Sequence, residues 1–360
     1  MDDIAEIDKN FKMNELKDFN SSIYKIPNEH FSLYGCYYDE EYGFIKMAPQ
    51  IAGSISEGVL RGSRCTDGVR LLFSTNSKMI EITVNYFSKC LMHHMPLIAS
   101  AGFTLCEVRE GKEFFVGNFI PPTNNNEFFV SQLQLLGGQM RDYILYFPLY
   151  SGVESLDIRL EEGSKVEKYE KYCSNKPILY YGSSITQGGC ASRVDNCYQA
   201  YVSQWTNTDY YILGFSGNAK GEREMAETIR DINCCVFVCD YDHNAPTVDH
   251  LRDTHLPLYK TFREKEANKK IPIIFISRPN DFYSQETKER FEIINQTYLY
   301  AKSIGDNNVS LIDGREIYPI ELREHCSVDG THPNDLGFYY IAKRIYDIML
   351  GNNLTSAING

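Results

Sequence analysis

From Pro177 onward the chain repeats one unit about five times, a short apolar run followed by a longer stretch with helical spacing. The runs are Ile178-Leu179-Tyr180-Tyr181, Tyr210-Tyr211-Ile212-Leu213, Cys235-Val236-Phe237-Val238, Ile273-Ile274-Phe275-Ile276 and Val309-Ser310-Leu311-Ile312. The helical stretches are Tyr198 to Trp205, Glu222 to Ile232, Val248 to Lys265, Glu286 to Ile304 and, closing the chain, Asp335 to Leu350. Strands joined through helices run parallel, and the helices must cover both faces of the sheet they form. The expected class is therefore α/β. Ligands of such sheets sit at the carboxyl ends of the strands, so the residues after each apolar run are where chemistry is expected.

The first half has a different rhythm. Val69-Arg70-Leu71-Leu72-Phe73 and Ile80-Glu81-Ile82-Thr83-Val84 flank Thr75-Asn76-Ser77 and read as a hairpin. Phe103 to Val108 and Phe114-Phe115-Val116 flank Glu110-Gly111-Lys112, and Tyr143 to Phe147 is followed by Leu156 to Leu160. Several short strands at this spacing predict an antiparallel β-sandwich. The charged stretch Glu161 to Pro177 reads as a linker, which divides the chain into a sandwich over 1–170 and an α/β domain over 177–352. A chain of 360 residues is long enough for two domains, each with its own core.

Hydrophobic residues make up 43% and charged residues 23%, which excludes a disordered, collagenous or coiled-coil chain. The net charge is -12 and no dense Lys/Arg run is present, so neither nucleic acid nor an anionic membrane surface is an expected partner. A neutral small molecule is. Met1 to Asp8 has neither a basic segment nor an apolar one, and the longest apolar runs, such as Ile271 to Ile276, are too short to span a bilayer. Eleven cysteines without a Cys-x-x-Cys repeat suggest reduced thiols, and with the absence of a signal they lead to a cytoplasmic expectation.

Four clusters carry chemistry, three of them directly after an apolar run. Gly182-Ser183-Ser184-Ile185-Thr186-Gln187-Gly188 presents Ser184 in a Gly-x-Ser turn. A hydroxyl is a poor nucleophile near neutral pH unless a base takes its proton. Asp329-Gly330-Thr331-His332 can supply that base, His332, together with a carboxylate, Asp329, that orients the ring. Taken singly, Ser184 could be a helix cap, His332 a packed loop residue and Asp329 the start of an Asx-turn. Gly214-Phe215-Ser216-Gly217-Asn218 and Asp240-Tyr241-Asp242-His243-Asn244-Ala245-Pro246 add what acyl transfer also needs, donors for an oxyanion. These would be the backbone N–H groups of Ser184 and Gly217 and the side chain of Asn244.

In this order the clusters resemble the four blocks of the SGNH hydrolase family, also called GDSL-type esterases. The resemblance covers Pro177 to Leu350 and implies a flavodoxin-like domain with Ser184 as nucleophile, Gly217 and Asn244 in the oxyanion hole, and Asp329 and His332 completing the triad. Two positions depart from the usual blocks: Ser183 stands where an Asp precedes the nucleophile, and the third block reads Asp-Tyr-Asp-His-Asn. Both variants look like the branch that carries an N-terminal, jelly-roll-like sandwich with a Gly-x-Asp-Leu-Tyr motif. Gly102-Phe103-Thr104-Leu105-Cys106 is similar to that motif with its Asp and Tyr replaced, and Phe147 to Leu156 resembles the end of the sandwich. The implied activity is hydrolysis of short acyl esters, acetyl foremost, from a carbohydrate, with no metal or organic cofactor. A thioesterase or lysophospholipase on the same triad, a carbohydrate-binding protein with an idle hydrolase domain, and a scaffolding role are the alternatives.

Other features have plainer readings. His93-His94 lacks a third metal ligand at useful spacing and reads as strand or strand-edge packing. Cys234-Cys235 reads as core filling. Gly214-x-x-Gly217-x-x-x-Gly221 lacks the start of a dinucleotide loop, and Gly182 to Gly188 lacks the Lys-Ser/Thr ending of a phosphate loop. Arg193 is either a pocket residue or a surface residue at a helix start, and His243 either touches substrate or makes a loop contact.

Overall fold

The structure, a computed structural model, describes residue 8 and residues 16–124, 126–279 and 284–352. Residues 1–7, which carry most of the segment read as lacking a signal, lie outside the described residues.

Among the described residues the first half contains twelve strands: β1 (Ser21–Ile26), β2 (Ser32–Tyr34), β3 (Tyr37–Asp39), β4 (Gly43–Ile45), β5 (Arg70–Thr75), β6 (Met79–Ser88), β7 (Phe103–Arg109), β8 (Lys112–Phe119), β9 (Phe128–Gln134), β10 (Arg141–Tyr146), β11 (Gly152–Glu161) and β12 (Val166–Lys168). One antiparallel sheet runs β1-β11-β6-β9; the facing sheet runs β12-β5-β10-β7-β8, with β2 also paired to β5. β7 and β8 form a hairpin around Glu110-Gly111. The pair expected around Thr75-Asn76-Ser77 does not. β5 pairs with β10 and β6 with β11, so the chain crosses from one sheet to the other at this turn. Side chains specify the crossing: Thr75 Oγ1 donates to the Lys165 carbonyl at 2.7 Å, and Ser77 Oγ accepts from Glu161 N at 3.0 Å. A turn signal reports a reversal of direction and is blind to which sheet receives the next strand. Within the expected linker, Val166–Lys168 is an edge strand of the sandwich.

Strand alternation in the second sheet serves two cores at once. Leu71, Phe73, Leu105 and Leu145 pack inside the sandwich with Ile80, Ile82, Val84, Leu156 and Ile158. Their neighbours Leu72, Cys106, Ile144 and Tyr146 point the other way, into a core shared with Ile178, Tyr180, Tyr198 and Val202 of the second half. Because side chains alternate across a strand, a sheet covered on both faces reads as continuous apolar sequence.

The second half is a five-stranded parallel sheet, order β14-β13-β15-β16-β17, built from β13 (Ile178–Gly182), β14 (Tyr210–Gly214), β15 (Val236–Asp240), β16 (Ile273–Ile276) and β17 (Val309–Ile312). Two short helices of the first half, α1 (Pro49–Ile55) and α2 (Glu57–Ser63), precede α3 (Leu97–Ser100); the second half adds α4 (Ser184–Gln187), α5 (Tyr198–Thr206), α6 (Arg223–Asp231), α7 (Val248–Glu264), α8 (Gln285–Ser303) and α9 (Asp335–Gly351). Helices α5 and α9 cover one face. Helices α6, α7 and α8 cover the other, where α1 and α2 join them through Ala52 and Val59. Among the described residues no helix is long and apolar enough to cross a membrane.

Charged groups cross the seam between the halves, and each is paired. Lys46 and Asp67 are fully buried and 2.5 Å apart. The guanidinium of Arg70 binds Asp209 and lies 3.6 Å from the centre of the Tyr210 ring. Glu113, held by Lys171, accepts a further hydrogen bond from Tyr146 at 2.6 Å. Unpaired, any of these charges would carry a desolvation cost of several kcal/mol.

Candidate active site

Three of the four clusters start on the same rung of the parallel sheet, because Gly182 is in register with Gly214 on one side and Asp240 on the other. After Gly182 the chain turns directly into α4. Ser183 is its N-cap, and its Oγ accepts from Ile185 N at 3.2 Å while its own N–H donates to the Asp240 carbonyl at 3.1 Å. Ser and Asp are both strong N-caps, which explains why Ser183 can stand where related blocks have Asp. Ser184 follows as the first helical residue, nearly buried at 9% exposure. Gly189 N, at 2.8 Å, and the Tyr150 hydroxyl, at 3.2 Å, both donate to its carbonyl. Tyr150 belongs to the sandwich half, so both halves grip the serine turn.

Ser184 Oγ lies 2.9 Å from His332 Nε2, and His332 Nδ1 lies 2.7 Å from Asp329 Oδ2. Asp329 does two jobs with two oxygens. Oδ1 closes an Asx-turn by accepting from Thr331 N at 3.0 Å and His332 N at 2.7 Å, while Oδ2 faces the imidazole ring. The turn is what aims the ring. Partial burial would raise the Asp329 carboxyl, but the main-chain and ring hydrogen bonds from His332 and the bond from Thr331 N outweigh it and hold it at about 2. The carboxylate is thus ionised throughout the neutral range, and it fixes the tautomer in which Nε2 is free to accept from Ser184.

Gly217 sits in the turn after β14 at φ +70°, and a Cβ built there meets nothing within 4 Å. Its glycine is required by backbone conformation rather than by crowding. Gly214 is the opposite case, since a Cβ would lie 2.6 Å from Gln187 N of α4. Lys46 donates to the Gly214 carbonyl at 2.6 Å and lies 4.9 Å from the centre of the Phe215 ring. Gln187 accepts from Ser216 N at 3.0 Å and donates to the Leu149 carbonyl at 3.2 Å. Asn244 ends a single helical turn after β15, and its Nδ2 donates to the Phe215 carbonyl at 2.9 Å. One amide hydrogen ties the two loops together, and the second remains for another acceptor. Arg290 underpins the Asn244 loop by donating to the carbonyls of Asp242, at 2.8 Å, and Ala245, at 3.0 Å. Arg278 adds bonds to the Asp242 carboxylate.

Tyr150, Lys46, Arg278 and Arg290 escaped sequence reasoning, because nothing in their neighbourhoods along the chain distinguishes them from the chain's other cations and aromatics. His93 and His94 correct an expectation: they lie on an exposed loop rather than in or beside a strand, and the His94 ring is 6.1 Å from that of His332. His243 is half-buried; burial lowers its pKa to about 4 against the opposing pull of Asp242, so it is neutral near pH 7. Arg193 pairs with Asp195 at 2.7 Å and stacks on Phe115 across the seam. Asp240, buried beside Asp242, is pushed well up and is bonded to Thr186. Among the described residues no three His, Cys, Asp or Glu side chains cluster as metal ligands.

Residues 175–350 match a family model described as GDSL-like lipase/acylhydrolase, and residues 24–166 match the GxDLY model, described as the N-terminus of SGNH-hydrolase-type esterases. A Bacteroides ovatus protein described as a GDSL-like lipase is 27% identical over 91% of this chain and 97% of its own, with a TM-score of 0.81. A salicylyl-acyltransferase from a tetracycline biosynthetic pathway is 17% identical over 92% of this chain and 98% of its own, TM-score 0.77. A family two carbohydrate esterase from Clostridium thermocellum, in complex with cellohexaose, shares the fold at 12% identity, with 81% and 94% coverage and a TM-score of 0.59. No curated protein matches the chain.

Proposed function

Since the chain belongs to the GDSL-like lipase/acylhydrolase family, with the N-terminal domain of SGNH-type esterases, and is an ester hydrolase, we propose that it is a serine esterase working through Ser184, His332 and Asp329. The observation that carries the proposal is the unbroken relay from Ser184 Oγ to His332 Nε2 at 2.9 Å and from His332 Nδ1 to Asp329 Oδ2 at 2.7 Å. In this reading Ser184 attacks the ester carbonyl as His332 takes its proton. The oxyanion is received by the N–H groups of Ser184 and Gly217 and by the spare amide hydrogen of Asn244. Collapse of the tetrahedral intermediate passes the proton from His332 Nε2 to the departing alcohol. Water, activated by the same imidazole, then releases the acid and restores Ser184.

For the substrate we propose a short acyl ester of a hydroxylated alcohol, acetylated sugars first. The shared fold with a carbohydrate esterase motivates this choice as an analogy of fold. Turnover of p-nitrophenyl acetate by the protein and by Ser184→Ala tests the nucleophile, and equal rates would overturn the triad. A series of p-nitrophenyl esters from acetate to long acyl chains tests the substrate class, because a thioesterase or lysophospholipase would favour the long chains.

A further inference from the structure

The loop between β6 and α3 belongs to the sandwich but ends beside the proposed catalytic pair. Both of its ends are fixed. Cys90 N donates to Ser151 Oγ at 3.0 Å, and Met95 is buried in the core shared by the two halves. Between these anchors Leu91, His93 and His94 are exposed, and the His94 ring stands 6.1 Å from the His332 ring with the planes inclined at 46°. Three sides of His332 are already occupied. Asp329 takes Nδ1, Ser184 takes Nε2, and Gly189 lies under the Cδ2 edge, where an added Cβ would come to 3.4 Å.

Ester cleavage at this site sends the alcohol past His332, because the leaving oxygen receives its proton from Nε2 and so passes within about 3 Å of it. The remainder of a large alcohol must then be accommodated around the His332 ring, where the His94 ring stands. We propose that His94 is a specificity-determining residue that hydrogen-bonds the alcohol portion of the substrate, so that the sandwich domain supplies one wall of the pocket. A neutral imidazole offers one donor and one acceptor, which suits an alcohol bearing further hydroxyl groups, such as a sugar, and gives nothing comparable to p-nitrophenol. The proposal rests on the esterase reading above.

The test compares kcat/KM of the wild type, His94→Ala and His94→Gln on p-nitrophenyl acetate and on the monoacetylated sugar that the wild type cleaves fastest in a panel. His94 is exposed, so neither variant threatens the fold. Losing one hydrogen bond to substrate predicts a fall on the sugar ester about tenfold larger than on p-nitrophenyl acetate, expressed mainly in KM, with His94→Gln in between. Equal falls on both substrates, or no fall on either, would overturn the proposal. If the wild type cleaves p-nitrophenyl acetate but no acetylated sugar, the role of His94 is refuted while the esterase reading stands. Absence of turnover on both removes the esterase reading itself.

Discussion

Replacing Asp329 with Asn separates the two jobs of that side chain. The Asn carbonyl oxygen can occupy the place of Oδ1 and keep the bonds from Thr331 N, 3.0 Å, and His332 N, 2.7 Å, so the Asx-turn and the fold survive. At the Oδ2 position, 2.7 Å from His332 Nδ1, an amide now donates where a carboxylate accepted. The ring must then carry its proton on Nε2, facing Ser184, and no base remains for the hydroxyl. The imidazolium formed during attack also loses a charged partner, a hydrogen bond worth about 1.5–3 kcal/mol. In a buried triad the same exchange costs about 10,000-fold in kcat. Asp329 is 41% exposed, so water partly replaces the carboxylate and a smaller effect is expected. We predict a fall of about 1,000-fold in kcat, or ~4 kcal/mol, with KM little changed. Steady-state kinetics on p-nitrophenyl acetate measures this, with thermal unfolding as the control. A variant that folds normally and keeps kcat within about threefold would refute the reasoning, since it would leave no role for the 2.7 Å contact.

Asn244→Ala removes the proposed oxyanion donor and frees the Phe215 carbonyl; kcat should fall about 100- to 1,000-fold with a modest change in KM, and a rise in KM alone would contradict the assignment. Lys46→Met strands the buried Asp67 carboxylate and should cost about 3–5 kcal/mol by urea unfolding, most of it recovered in the Lys46→Met, Asp67→Asn double variant. His255, buried between Tyr241 and Phe275 and bonded to Thr297, has its pKa lowered by burial from 6.5 to about 4. Its unfolded form binds a proton between those two values and its folded form does not, so its contribution to stability is complete above about pH 6.5 and shrinks as the pH falls toward 4. Replacing it with Asn should therefore reduce the loss of unfolding free energy between about pH 7 and pH 4.5 by roughly 2 kcal/mol, and an identical pH slope in the variant would count against that origin.

The α/β half was legible because parallel strands buried on both faces leave an unbroken apolar signature. Ile273–Ile276 and Val309–Ile312 fall where the sequence puts them, and the helix from Val248 ends one residue earlier than expected. The clusters around Ser184, Gly217 and Asn244 were legible for a related reason: strand ends are marked by the stop of the apolar run, and register brings Gly182, Gly214 and Asp240 level. The crossing at Thr75-Asn76-Ser77 was hidden because its determinants, the Lys165 carbonyl and Glu161 N, lie more than 80 residues further along the chain. Lys46, Tyr150 and His94 were hidden in the same way, since each acquires its meaning only when the sandwich meets the α/β half. Ser183 was visible but read as a departure, whereas its cap bond to Ile185 N makes it an equivalent.

The central claim is that Ser184 carries the acyl group between attack and release. It is tested most directly by quenching the protein in acid during turnover of p-nitrophenyl acetate, digesting it, and weighing the peptide that contains Ser184. The account predicts one acetyl group on that residue in the wild type, and neither that adduct nor turnover in Ser184→Ala. An unmodified Ser184 under conditions in which Asp329→Asn or the wild type accumulates acetyl on another residue, or full turnover by Ser184→Ala, would contradict it.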